Sequence, residues 1–490
     1  MVFQPWKDPS VVVASILLLV IARAVYKKNQ STRRPPVVSY LVPWVGSAID
    51  LGKSPDAFFR RAIAKHGDIF TVKAFGRSIT YITSPHLIAE VYKNPQKYDF
   101  LQIRENVGAN VFMMSDKLAR APMMQETIFP LSLKLLSQKY VQPVVDKYIT
   151  LIAQYLEERE SQYNGLNIPL RDFIVPLTFD ASSHAFFGKA CPFEDLFKPF
   201  RLFDTSFHLL LAGVPKVFMK GPVKALDELA TIVDEKYLSK PNALDDASEM
   251  VKAYDQTTRD NGFNTREAAT LIVSFLWALE ANAPLAAYWV IALNLQHQDG
   301  LKPFVAEVDE AVASWNTKNP SLPLDSHQNL VDFINQVELP LLNSTIQETL
   351  RFAGSAMSIR AVMDRIELGG YTFDRGDEIV CALRMVHLDP EIHERPDEYI
   401  PRRYMTEKKF KKGEKPVMNH SIPWGGGVSM CEGRHFAQKE IKSLIALLLM
   451  KYTIEADPKS TERPVFLEDR MGLGVMHPKG DIRVIIRGRE

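Results

Sequence analysis

Cysteine is scarce in this chain: Cys191, Cys381 and Cys431 are the three among 490 residues. So sparse and odd a set excludes a disulfide framework and suits a reducing compartment. Charge of one sign is also lacking, with 59 Lys and Arg against 58 Asp and Glu. There is neither a basic field for nucleic acid nor an acidic tail. Internal repeats and long low-complexity segments are absent, and no break in composition marks two independent domains. A full-length, charge-free apolar span is missing too. The best candidate, 11–22, continues past Arg23 only through Ala24, Val25 and Tyr26, where about 20 residues cross a bilayer core.

That short run still carries a message. Arg23 can snorkel to an interface, and Lys27, Lys28, Arg33 and Arg34 stay cytosolic by the positive-inside rule. No small-residue cleavage site precedes the basic cluster. Residues 1–28 are therefore expected to be an uncleaved signal anchor, a single-pass transmembrane helix in the endoplasmic reticulum membrane with the catalytic part cytosolic. A cleaved signal peptide and a buried core helix are the competing readings. Pro35, Pro36, Pro43 and Gly46 make 29–46 a stiff linker, and 47–490 reads as one large domain.

Within that domain, Ile69, Phe70, Thr71 and Val72, a turn near Gly76, and Ile79, Thr80, Tyr81 and Ile82 predict a hairpin. Residues 84–354 are mostly helical in pattern. The stretch 268–295 is apolar nearly all round, which predicts a helix through the centre of the protein. Pro284 should distort it. After Gly354 the texture changes to short strands: a hairpin over 365–373 and a strand over 377–383. The fold class is mainly α with small β-sheets (α+β).

The chemistry centres on the 423–437 stretch, where Trp424, Gly425, Gly426, Gly427 and Gly433 surround one cysteine, Cys431, just before an apolar helix. A thiol at a helix start feels free N–H groups and the dipole's positive end, both of which favour the thiolate. The glycines let the backbone pass close to something flat and bulky. One cysteine without partners at zinc spacing suits a single axial ligand better than a metal cage, and so points to haem iron. A phosphate loop is the wrong reading, because no Lys followed by Ser or Thr closes the glycines. His387, His420 and His435 have mixed spacings and read as structural.

A second group supports the loop. Glu348 and Arg351 stand three apart on one helix face, among Leu341, Leu342, Ile346, Leu350 and Phe352. Exposed pairs of this kind are worth little, but these neighbours predict burial, and Arg403 can complete a Glu–Arg–Arg network.

Glu348-x-x-Arg351, then Pro401, Arg402, Arg403 and Tyr404, then the loop from Trp424 to Gly433 together resemble the cytochrome P-450 monooxygenases, in order and spacing, over most of the chain. The resemblance implies that family's fold, haem b with Cys431 as its thiolate ligand, and electrons from NADPH through a separate membrane-bound reductase. The finer pattern is similar to the cholesterol 7-alpha-hydroxylase and prostacyclin synthase branch: Trp424 where most members have Phe, Leu276, Trp277 and Ala278 ahead of Asn282, and the 471–478 ending. Ser429 stands where most members carry a propionate-binding Arg or His, and Arg360 is the candidate replacement, against an ordinary strand-edge arginine. By resemblance Phe112, Met113, Ala356, Met357 and Leu473 line the substrate pocket.

One departure opens a fork. Most family members carry an acid–alcohol pair for proton delivery in the central helix; here the stretch reads Glu280, Ala281, Asn282, Ala283. Ala283 has no proton to give. Glu280 either acts through water or faces the opposite side. The implied function is a haem-dependent monooxygenase oxidising C–H bonds of a lipophilic substrate (a sterol, terpenoid or other polycyclic secondary metabolite), in natural-product biosynthesis as in similar fungal members. The alternatives are a haem-thiolate isomerase or dehydratase that rearranges a peroxide or epoxide without reductase, and a haem-bearing binding protein without turnover.

Overall fold

The computed structural model describes residues 34–489 apart from 41 and 407. The expected anchor, 1–28, and the start of the linker lie outside the described residues. The helices that position the site are α1 (Pro85–Lys93), α2 (Leu101–Asn110), α3 (Gln142–Glu158), α4 (Leu170–Phe187), α5 (Phe193–Leu211), α6 (Thr265–Glu280), α7 (Ala283–Asn294), α8 (Pro340–Ala353) and α9 (Arg434–Lys451).

The central helix is two helices in line. Ala281 and Asn282 separate α6 from α7. The reason is local: Pro284 has no N–H to offer the carbonyl of Glu280 four residues earlier. An Asn264–Glu267 capping box starts α6, and all twelve residues of α7 are buried. Thr265–Asn294 is, among the described residues, the one helical run apolar and long enough to cross a membrane, and it is mostly buried inside the protein. Its hydrophobicity is that of a core helix.

The main sheet contains β1 (Ile69–Ala74), β2 (Arg77–Ile82), β3 (Tyr98–Asp99), β4 (Met357–Val362) and β5 (Glu378–Ala382), in the order β1-β2-β5-β4-β3. The expected hairpin is present, with Ile69 opposite Ile82. Strand β5 lies parallel to β2 and antiparallel to β4. A second hairpin pairs Ile366–Leu368 with Tyr371–Phe373. Arg360 thus stands on an interior strand, not at a sheet edge. One large apolar core joins α3, α4, α6, α7, α8 and α9. Phe436 of α9 packs edge-on against Tyr148 of α3 and Phe186 of α4, with ring centroids 5.7 Å and 4.8 Å apart.

Candidate functional site

The cysteine loop is held by its own backbone and by side chains from elsewhere. Cys431 N–H donates to the Trp424 carbonyl at 2.8 Å, and Gly425 N–H to that of Ile422 at 3.2 Å. Gly425 and Gly427 have φ of 70° and 59°, in the left-handed region that glycine enters freely. A Cβ on Gly426 would sit 2.5 Å from ring carbons of Tyr92, and one on Gly427 would sit 2.8 Å from the Tyr92 carbonyl oxygen. Tyr92 of α1 therefore presses on two consecutive glycines. Gly433 differs: it has ordinary φ, and a Cβ there would meet no protein atom within 4 Å.

Cys191 and Cys381 are buried, whereas Cys431 is exposed. Burial by the surrounding loop nevertheless pushes its thiol above the ordinary value. The N–H groups of Gly433 and Arg434 and the charge of Arg434 pull the other way; Glu432 adds to the rise. The helix start favours the thiolate, as expected, but burial outweighs it. A bound metal deprotonates a coordinating thiol outright.

Behind the loop, Glu348 is fully buried. Its Oε2 accepts from Arg351 Nε at 2.7 Å and Arg403 Nε at 2.9 Å, and its Oε1 from Arg351 Nη2 at 2.8 Å and the Ile400 N–H at 2.9 Å. The spare arginine protons reach the carbonyls of His387, Pro396 and Glu398 (Arg351) and of Glu394, Arg395 and Glu398 (Arg403). Every charge has partners, the condition under which buried ions are tolerated. His387 links this network to the loop, because its Nε2 accepts from the Ile422 N–H at 2.9 Å. Burial, then the charges of His393, Arg351 and Arg384, hold its imidazole well below the usual range. The ring is neutral and its Nδ1 carries the proton.

Arg360 is 1 % exposed. Its Nη1 donates to Ser358 Oγ at 2.7 Å and its Nη2 to Ser429 Oγ at 2.5 Å, while its guanidinium lies 4.9 Å from the Phe100 ring centroid and 5.4 Å from that of Tyr92. No carboxylate forms an ion pair with it among the described residues. Burial lowers its proton affinity, against the opposing pull of Tyr92, Cys381 and Asp99. A buried cation without a counter-ion calls for an anionic partner.

The remaining candidates fall into two groups. Segment 353–357 runs beside 472–476, with Gly472 N–H on the Ser355 carbonyl at 2.9 Å and Met476 N–H on that of Ala353 at 2.9 Å. This brings Ala356, Met357 and Leu473 together. Asn282 joins them, its Oδ1 accepting from the Val475 N–H at 2.9 Å. Phe112 clusters with Phe203, Phe207 and Trp277, and Trp277 stacks on Phe207 with centroids 3.9 Å apart. Met113 follows it at φ 54°. Trp277 Nε1 also donates to Asp204 at 3.0 Å, and Asp204 pairs with Arg470 at 3.1 Å.

Ala281 and Ala283 are buried, and their side chains carry no polar atom. Glu280 departs from the grouping with its neighbours: it turns to Ser182 and Ser183 of α4, at 2.7 Å and 2.9 Å. Sequence reading passed over Tyr92, Asp204 and Arg470. Nothing local marks them; only the Gly426–Gly427 pair hints that something must lie close.

The donor set fits haem. One accessible thiol faces two N–H donors, a glycine backbone leaves no Cβ in the way, and an unpaired buried guanidinium suits a carboxylate. The sequence profile described as Cytochrome P450 matches residues 35–484. Cytochrome P450 7A1 of Sus scrofa is 27% identical over 480 residues, covering 93% of each chain. Prostacyclin synthase of Homo sapiens is 27% identical over 499 residues, covering 94% of this chain and 95% of its own. Among solved structures, the haem domain of cytochrome P450DA superposes with a TM-score of 0.70 at 17% identity, covering 93% of this chain and 98% of that one. The chain therefore belongs to the cytochrome P450 family: it is a monooxygenase whose cofactor is haem iron, supplied with electrons from NADPH through a separate reductase, and whose substrate is lipophilic.

Proposed function

We propose that Cys431 would ligate the haem iron through its sulfur and that the enzyme hydroxylates a polycyclic lipid, a sterol or terpenoid, in natural-product biosynthesis. The observation that carries the ligand assignment is the exposed thiol facing the N–H groups of Gly433 and Arg434. Arg360 would bind a haem carboxylate, with Ser429 and Ser358 orienting its guanidinium. Glu348, Arg351 and Arg403 would hold the loop's support in place through His387. Haem iron supplies activation of dioxygen for attack on an unactivated C–H bond. Phe112, Met113, Ala356, Met357 and Leu473 would exclude water and contact substrate through apolar, adaptable surfaces. Residues 1–28 would anchor the 47–490 domain to the endoplasmic reticulum membrane. The similarity to cholesterol 7-alpha-monooxygenase of Cricetulus griseus, 25% identical over 481 residues, supports the sterol-like class. The test is the carbon monoxide difference spectrum of the reduced protein: thiolate ligation gives a red-shifted Soret band, Cys431→Ser abolishes it, and its absence from the wild type defeats the assignment.

A second reading is favoured by one observation. Ala283 offers no transferable proton and the Asn282 side-chain amide oxygen accepts from the Val475 N–H. An isomerase or dehydratase acting on a peroxide or epoxide needs no proton delivery to dioxygen. Product formed without NADPH and reductase would establish it; product that requires both would exclude it.

A further inference from the structure

Two arginines meet one aromatic ring beside the cysteine loop. Phe100 lies between β3 and α2, and the guanidinium carbons of Arg360 and Arg104 stand 4.9 Å and 5.2 Å from its centroid. Each arginine then reaches a different flank of Cys431. Arg360 donates to Ser429, two residues before the cysteine. Arg104 Nη2 donates to Glu432 Oε1, on the residue directly after it, at 3.2 Å.

The Arg104 guanidinium is placed by its surroundings. The Phe129 ring centroid is 3.8 Å from it, a cation–π distance. The first turn of α2 is pinned by Asp99, whose carboxylate accepts from the N–H groups of Leu101 at 3.0 Å and Gln102 at 2.9 Å. Asp99 belongs to β3, which pairs with β4, so both arginines are carried by one sheet-anchored platform. Among the described residues Glu432 forms one ion pair, the pair with Arg104. Arg434, the other cation of the loop, turns to the Cys431 carbonyl at 3.0 Å.

Stability does not account for this arrangement. The two side chains keep 28 % and 22 % of their exposure, and pairs open to water contribute only about 0–1 kcal/mol. Their position is what matters. Reduction of the iron adds one electron, delivered by the reductase, to a centre held by a thiolate. A carboxylate on the residue next to that ligand opposes the added charge, and a guanidinium bound to the carboxylate cancels the opposition. Nearby charge and hydrogen bonding are the means by which a protein sets the potential of a ligated iron. We propose that Arg104 and Glu432 are a compensated charge pair that sets the reduction potential of the haem iron. Both act through Cys431 and are positioning residues. The proposal rests on Cys431 as the iron ligand.

Spectroelectrochemical titration of the holoenzyme tests it. Arg104→Met leaves the carboxylate uncompensated and should move the potential to more negative values. Glu432→Gln leaves the guanidinium uncompensated and should move it to more positive values. The double variant should return close to the wild type, and Arg104→Lys should stay there. A pair that merely braces the loop is broken equally from either side, so both single variants would then shift in the same direction. That result overturns the proposal, and so does a potential unmoved in either single variant. If Arg104→Met does not retain haem, Glu432→Gln and Glu432→Lys decide: the potential should rise in the first and rise further in the second, and any other order overturns the pair. The carbon monoxide spectrum separates the two assignments. A wild type without the red-shifted band defeats ligation by Cys431, whereas unmoved potentials with the band present defeat the charge pair alone.

Discussion

Arg360 Nη2 lies 2.5 Å from the hydroxyl of Ser429, which ties the interior strand β4 to the cysteine loop. The buried guanidinium reaches the loop serine from the sheet.

Arg360→Leu should weaken haem retention. A hydrogen bond to a charged group contributes about 1.5–3 kcal/mol, so haem release should accelerate roughly ten- to a hundredfold, measured by transfer to a haem-scavenging globin. Arg360→Lys should restore only part of this, because a single ammonium cannot serve Ser358, Ser429 and a carboxylate in one fork.

Glu348→Ala removes the common acceptor of Arg351 and Arg403, which are otherwise buried. Stranding buried charge costs about 3–5 kcal/mol. The expected outcome is a large fall in folded, haem-bearing protein, read by the yield of the red-shifted carbon monoxide complex and by thermal unfolding.

Gly426→Ala and Gly427→Ala should both destabilise, but unequally. At Gly426 the added methyl meets the Tyr92 ring, which can be removed; at Gly427 it meets a backbone oxygen, and φ is 59°. Overpacking costs about 1–3 kcal/mol. Adding Tyr92→Ala should recover stability for the first variant and leave the second impaired, as measured by denaturant midpoints.

Asp204 joins α5 to the 470–477 segment. Burial raises its carboxyl, but His477 and Arg470 outweigh that and hold it below the usual range. A depressed carboxylate contributes stability above its unfolded value, near 3.8, and loses it as pH falls through the folded one. Burial also keeps His477 below 6.5, so acidification opposes the fold from that side as well. Asp204→Asn should therefore lower stability at neutral pH, by stranding Arg470, and flatten the acid limb of the stability profile. Unfolding curves from pH 7 down to about pH 2 check this.

Ala283→Thr places a hydroxyl at the start of α7, in the break. If hydroxylation is the native task, the fraction of NADPH recovered as oxidised product should rise; under the isomerase reading product formation is unchanged by NADPH. Parallel measurement of NADPH consumption and product separates the two.

Local chemistry made much of this protein legible from the chain. The Gly-rich cysteine loop, the Glu348–Arg351 spacing, the hairpin about Gly76 and the distortion at Pro284 all follow from properties of neighbouring residues: dipole, periodicity, turn geometry and a missing N–H. The central helix differed from a continuous 268–295 span because the proline removes one bond and leaves two helices. What only the tertiary structure decided depends on residues far apart in sequence. Tyr92 meets Gly426, Arg360 meets Ser429, Asp204 meets Arg470, and Glu280 meets Ser182. The balance at Cys431 belongs here as well, because burial outweighs the helix start. A sequence states which groups can carry charge or protons. Whether they do is set by desolvation and by partners, and both exist only once distant segments pack.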